Sequence, residues 1–197
     1  QSLQKVEHFY HGPEGQATLP LRYRKPYMRV LSAEEVRRSL ADFRHLLQDA
    51  VEDGASVGFL KVPTDAEADS CWEGVIERIE AGTTTLLASF DQDRIVGAIQ
   101  IARETRPNGN HRAELMKLFV LRSHRRHGRA RALLQAAVTE AKRLGLSLLV
   151  MDTRKGGDAE RLCQSLGFHR YGEVPLYARS TNGQLHTTVF FYVPLDR

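Results

Sequence analysis

Leu115–Leu144 reads LMKLFVLRSHRRHGRARALLQAAVTEAKRL, and the order of its parts decides the fold. Leu115 and Leu118-Phe119-Val120-Leu121 form an apolar, β-leaning run that predicts a strand. A short loop follows, carrying Arg122, Arg125, Arg126, Gly128, Arg129 and Arg131. Then Leu133, Leu134, Ala137, Val138, Ala141 and Leu144 recur at three- and four-residue spacing, which predicts a helix. Strand, basic glycine-containing turn and helix together make an anion seat. The first helical N–H groups have no partner inside the helix, and the helix dipole places partial positive charge there. A phosphate suits that position, and arginines add formal charge and forked donors. Alone, the spelling Arg-x-x-Gly-x-Ala would equally describe a solvated basic helix start. The strand before it, the helix after it and Leu166-Gly167-Phe168 downstream favour the anion seat.

The remaining chain sorts around this unit. Gln1–Pro26 is polar and aperiodic and reads as a flanking arm, with residues 27–197 as a single domain. Tyr27–Leu31 predicts a strand. Ser32 and Glu35 form a capping box, and Val36, Leu40, Phe43, Leu47 and Val51 mark one helical stripe that ends at Gly54. Ala55–Leu60 is a short apolar segment, read either as a packed connector or, with Phe59, as a wall of an acceptor pocket. Thr64 and Glu67 form a second capping box, whose helix carries Trp72; a tryptophan at that spacing belongs to the core or walls a pocket. Thr83–Phe90 and Ile95–Arg103 predict a hairpin, and Pro107-Asn108-Gly109 turns the chain into the strand that leads to the basic loop. After the loop helix, Leu146–Asp152 predicts a strand buried on both faces and parallel to the earlier one through a right-handed crossover. Thr153–Gly157 predicts a flexible basic turn, and Asp158–Leu166 a short helix. Phe168–Tyr177 and His186–Leu195 are the last two strands. The sum is a mixed α/β sheet of about seven strands.

Composition narrows the function classes. The 197 residues suit one domain with a sizeable core. Cys71 and Cys163 make no disulfide framework, and neither they nor the histidines show metal-ligand spacing, so no metal is expected. No membrane span or signal core stands out, and a reducing cytoplasm is the expected location. Net charge is +4. The excess concentrates in one turn without interleaved aromatics, which argues against nucleic acid and for a polyanionic ligand.

Arg125-Arg126-His127-Gly128-Arg129-Ala130 resembles the acetyl-coenzyme A diphosphate loop of the GNAT superfamily of N-acetyltransferases. From about Leu46 onward, further motifs are similar to the tabtoxin resistance branch of that superfamily. They are Ala55-Ser56-Val57-Gly58-Phe59, Pro107-Asn108-Gly109, Arg112-Ala113-Glu114-Leu115, Lys117-Leu118, Asp152-Thr153, Gly172-Glu173-Val174-Pro175 and Gly183-Gln184-Leu185-His186. The resemblance implies a GNAT fold: mostly antiparallel strands, one splayed central parallel pair and four flanking helices. It implies acetyl-CoA as cofactor. Leu118, Phe119 and Val120 would offer backbone to its arm, Arg125 through Arg131 (with His127, Gly128 and Ala130) would wrap its diphosphate, and Asp158 would lie nearby.

Chemistry adds two requirements. An alkylamine has a pKa of about 10 and must lose a proton before it attacks a thioester. Glu114 and Asp152, at the mouth ends of neighbouring strands, are the expected base, as in the resembling branch; alternatively they hold the ammonium while water takes the proton. The superfamily's tyrosine acid falls here at Cys163, a departure that leaves the acid open, with Tyr171 and Tyr177 as substitutes. Trp72, Phe59, Tyr177 and His186 are the candidate acceptor contacts. The expected function is acetylation of a small amino-acid-like amine, in toxin or antibiotic resistance, by a monomer or homodimer. A protein or peptide N-acetyltransferase and a non-catalytic acyl-CoA sensor are the alternatives.

Overall fold

The computed structural model describes residues 27–55 and 57–195, so the arm assigned to Gln1–Pro26 lies outside the described residues. Strand β1 (Tyr27–Leu31) leads into α1 (Ala33–Arg38) through the expected capping box. Ser32 Oγ accepts from the Glu35 N–H at 3.3 Å, and the Glu35 carboxylate accepts from the Ser32 N–H at 2.8 Å. The single helix expected from Ser32 to Gly54 is divided: Ser39 takes φ −103°, and α2 (Leu40–Glu52) starts afresh. The apolar stripe runs through the joint, because Val36, Phe43, Leu47 and Val51 are all fully buried. Each such burial is worth about 1.5–3 kcal/mol, so core contact outweighs backbone continuity here. Thr64 and Glu67 cap α3 (Asp65–Glu80) in the same reciprocal way. Trp72 on α3 is 1% exposed and packs on Phe43 with ring centroids 4.5 Å apart. It belongs to the core and walls no acceptor pocket, correcting that assignment.

Strands β2 (Thr84–Asp91), β3 (Arg94–Arg103) and β4 (Arg112–Val120) continue antiparallel from β1. A 3-10 turn (Arg122–His124) and the basic loop then give α4 (Arg129–Arg143), which crosses to β5 (Leu148–Arg154). Helix α5 (Asp158–Ser165), β6 (His169–Arg179) and β7 (Leu185–Pro194) complete the chain. The seven strands order as β1-β2-β3-β4-β5-β7-β6, and β4-β5 is the parallel pair. One apolar core joins α1, α2 and α3 to one face of the sheet; the other joins α4 and α5 to the opposite face.

Two irregularities position the site. First, β4 and β5 share only three partner pairs, Arg112–Leu148, Ala113–Leu149 and Glu114–Val150, and then part. By contrast β5 pairs with β7 along its whole length, from Leu148 to Arg154. Second, β4 bulges: Ala98 opposes Phe119 but Gln100 opposes Met116, and the extra residue region contains Lys117 at φ +52°. Gly97 permits this. A Cβ there would sit 2.9 Å from the Phe119 carbonyl oxygen and 3.1 Å from Leu133 Cδ1, so β3, the bulge and α4 meet only over a glycine. The parting also alters β5. Leu149 and Met151 are buried, but Leu148 and Val150 are only half-buried and Asp152 is exposed, so the strand expected to be covered on both faces is open on one.

Candidate active site

The basic loop is built as expected at the main chain and differently at the side chains. Arg126 has φ +63° and Gly128, the residue capping α4, has φ +76°. Left-handed residues alternating with ordinary ones aim successive N–H groups at one concavity. Among the described residues, none accepts a hydrogen bond from the N–H of Arg126, His127, Gly128, Ala130 or Arg131. A Cβ at Gly128 would meet nothing within 4 Å, so the concavity is open.

Most of the loop's guanidinium groups turn away from it. Arg122 donates from Nε to Asp49 at 2.8 Å and also pairs with Glu52. Arg125 pairs with Asp53 and donates from Nε to the Val120 carbonyl at 3.0 Å. Arg129 is 3% exposed and donates to the Phe90 carbonyl at 2.8 Å, with Asp91 at 3.6 Å. Arg125 and Arg129 do line the first cavity, but their guanidinium groups are engaged by α2 and β2 and rivet the loop to them. Arg126, 84% exposed at its side chain, and Arg131, bonded to Ser165 Oγ at 2.7 Å, are the cations left at the concavity. The His127 side chain points to solvent. The Val120 carbonyl is already engaged by Arg125, so only part of the Leu118–Val120 backbone remains on offer.

Two cavities meet along β4. The first, about 620 Å³, runs from Arg126, Gly128 and Arg131 past Asp158 and Ala159 to Leu118 and Phe119. The second, about 420 Å³, continues from Leu118 and Phe119 to Glu114, Asp152 and His186. The first is apolar along its arm and basic at its far end, with the N-termini of both α4 and α5 on its wall. Both are the size of a ligand site. The splay beyond Glu114 is what joins them.

Glu114 and Asp152 lie on the same side of adjoining strands, since Glu114 pairs with Val150 and Asp152 is two residues further on. Burial raises the Glu114 carboxyl above its ordinary range, and the negative charge of Asp152 raises it further. Burial also raises Asp152. Asp152 is open to the cleft, yet the protein around it replaces much of its water, and both facts hold together.

Four other expectations meet a different arrangement. Cys163 is fully buried on α5, its Sγ 3.4 Å from Met151 Sδ, and it lines neither cavity. Burial pushes its thiol up to about 11, and the side chain is packed in the core. Phe59 is half-buried against the α1–α3 core; its neighbours Gly54, Ala55 and Val57 reach the second cavity, but it does not. Tyr177, 56% exposed, lies edge-on to Phe190 outside both cavities, and Tyr171 is also on the outer surface. The turn read as flexible is tied down: the Glu160 carboxylate accepts from the Gly156 N–H at 2.5 Å, and the Lys155 N–H reaches the Thr187 carbonyl at 2.9 Å.

Residues missed from the sequence are as informative. Lys117, Arg154 and Thr188 line the second cavity. Lys117 stands out in the sequence only as part of a motif, and its direction has no local signal, because a bulge is defined by the opposite strand. Asp49, Glu52 and Asp53 did give one: an acidic helix end matched to an arginine-rich turn elsewhere in the chain. Among the described residues no group of three or more His, Cys, Asp or Glu could hold a metal, and no helix is long and apolar enough to cross a membrane.

Residues 49–168 match the profile described as the Acetyltransferase (GNAT) family. Solved structures share the fold. An N-acetyltransferase from Staphylococcus aureus Mu50 superposes with TM-score 0.72 at 19% identity, over 88% of this chain and 100% of that one. A ribosomal-protein-alanine N-acetyltransferase from Brucella melitensis gives 0.71 at 20%, over 86% and 99%. A phosphinothricin acetyltransferase from Sinorhizobium meliloti, in complex with acetyl-CoA, gives 0.72 at 18%, over 87% and 89%.

Proposed function

The chain belongs to the GNAT acetyltransferase family, a family of acetyl-CoA-dependent enzymes, and from that premise we propose that it acetylates the amino group of a small amino-acid-like molecule. The observation that carries this reading is the second cavity: about 420 Å³, with Glu114 and Asp152 where the strands part. Its size suits a compact acceptor. The motifs at Arg112–Leu115 and Asp152-Thr153, similar to the tabtoxin resistance branch, support the same class and a role in toxin or antimetabolite detoxification.

The first cavity fits acetyl-CoA: unpartnered N–H groups stand at its far end and a gap in the sheet at its near end. When bound, acetyl-CoA supplies an acyl thioester that an amine can attack. The N–H groups of Arg126, His127, Gly128, Ala130 and Arg131 hold the diphosphate, with the side chains of Arg126 and Arg131 adding charge. Asp158 stands beside it at the α5 N-terminus, and its carboxylate is already paired with Arg161. Leu118 and Phe119 orient the arm along the unpaired stretch of β4. Glu114 takes the proton from the substrate ammonium at a carboxylate oxygen, and Asp152 holds that ammonium by charge. A raised carboxyl is a better base than a free one for an amine of pKa about 10. A thiolate whose conjugate acid lies at about 8.5 is a good leaving group, so no residue is assigned to protonate it.

Thiol release from acetyl-CoA, measured across free amino acids, simple amines and peptides, tests this. Turnover confined to free amino acids and their analogues is expected. Turnover confined to peptides would replace the reading with a peptide acetyltransferase, and tight acetyl-CoA binding without turnover of any amine would replace it with a sensor.

A further inference from the structure

We propose that Lys117 and Arg154 form a carboxylate clamp, so that the acceptor must be a zwitterion with its amine at Glu114 and Asp152 and its carboxylate between these two cations. This rests on the small-acceptor reading above and narrows it to a substrate class.

The second cavity is lined by two carboxylates, Glu114 and Asp152, and two cations, Lys117 and Arg154, among apolar walls that include Ile99, Leu115 and Met151. Among the described residues, none of the four is in an ion pair. Elsewhere the rule is the opposite: Arg44, Arg112, Arg122 and Arg125 each rest against a carboxylate. The contacts that the two cations do make are weak and neutral. Lys117 Nζ lies 3.4 Å from Cys71 Sγ, and Arg154 Nη1 lies 3.5 Å from Ser180 Oγ. Asp152 and Arg154 are open to solvent at the cavity mouth while Glu114 and Lys117 are half-buried, so all four remain available to a ligand.

The order of the charges is what a zwitterion needs. Glu114 sits at the fork, opposite Val150. Arg154 is two residues beyond Asp152 on β5, so the two share a face and stand about 7 Å apart along the strand. In a regular strand Lys117, three residues beyond Glu114, would point to the opposite face. The bulge inserts one extra residue and, with Lys117 at φ +52°, makes it a lining residue of the cavity, its Nζ resting at the cavity's edge against Cys71 Sγ. The negative groups therefore lie at the fork and the positive groups further out, one on each diverging strand. A peptide N-terminus brings an amine but a neutral amide in place of the adjacent carboxylate, and the outer pair would stay unsatisfied.

The test compares matched acceptors, each amino acid against its own amide, in the thiol-release assay with the full chain. Acids should exceed amides in kcat/KM by about tenfold to a hundredfold, the range for a lost charge-assisted pair. Arg154→Gln and Lys117→Met should each raise KM for the acid and shrink the acid–amide gap, with KM for acetyl-CoA held. Equal use of acid and amide by the unaltered protein would overturn the clamp while leaving acetyl transfer to small amines standing. Preference for peptides would overturn both. Should either variant fail to fold, as read by thermal melting, the acid–amide ratio of the unaltered protein decides alone.

Discussion

The two halves of the cleft are made of different material. The half toward α4 presents main chain: N–H groups without partners among the described residues, two helix N-termini and a strand edge, with most of its arginines held as fasteners. The half beyond the fork presents side chains, four of them charged and without ionic partners among the described residues. Backbone reads a ligand that never varies, and it tolerates change in neighbouring side chains. On the proposed reading side chains select the acceptor, and one substitution can change what they select.

Gly128→Glu strikes the main-chain half and should have the largest effect. It sets a carboxylate in the open concavity at a left-handed position that favours glycine. Acetyl-CoA affinity, measured by calorimetry, should fall by more than about a hundredfold; retained affinity would place the diphosphate elsewhere. The side-chain half answers to Glu114→Gln and Asp152→Asn. The first should lower kcat by roughly a hundredfold to ten-thousandfold with cofactor affinity unchanged. The second removes a cause that raises Glu114, so the acid limb of the pH–kcat/KM profile should move to lower pH. An unmoved limb would separate the two carboxylates. Stability has a definite sign here. Both carboxyls are raised in the fold, so the stability they contribute is complete below the ordinary carboxyl range and is lost as pH rises through the folded values. Glu114→Gln should therefore raise Tm at pH 8 more than at pH 4. The smallest effect belongs to neither half: Cys163→Ala should cost about 1 kcal/mol of stability and leave turnover and its pH profile alone. A changed profile would return Cys163 to the chemistry.

The difference between the halves also governs what could be read from the sequence. The strand, turn and helix at Leu115–Leu144 were legible because glycine position and apolar period are local quantities, and so were both capping boxes. Glu114 and Asp152 were legible because strand order placed them side by side. Lys117 was not, since its direction depends on a register shift against β3. Trp72 and Cys163 failed for one reason: helical spacing fixes a face, and only tertiary packing says whether that face meets a cavity or a core. The arginines were overread, because the acidic helix end at Asp49 and Asp53 was not matched to the basic turn it meets in space.

The brevity of the β4–β5 ladder has a mechanical corollary. Among the described residues, three ladder pairs and the Ser147 N–H to His111 carbonyl bond just before them stitch the four-stranded block β1–β4 to the three-stranded block β5-β7-β6 across the sheet. A molecule lying in the fork and bonding to the idle edge of β4 stands in for the missing strand neighbour. On the proposed reading acetyl-CoA would mend that seam, and amide exchange along Leu115–Phe119 should slow on its addition before any acceptor arrives.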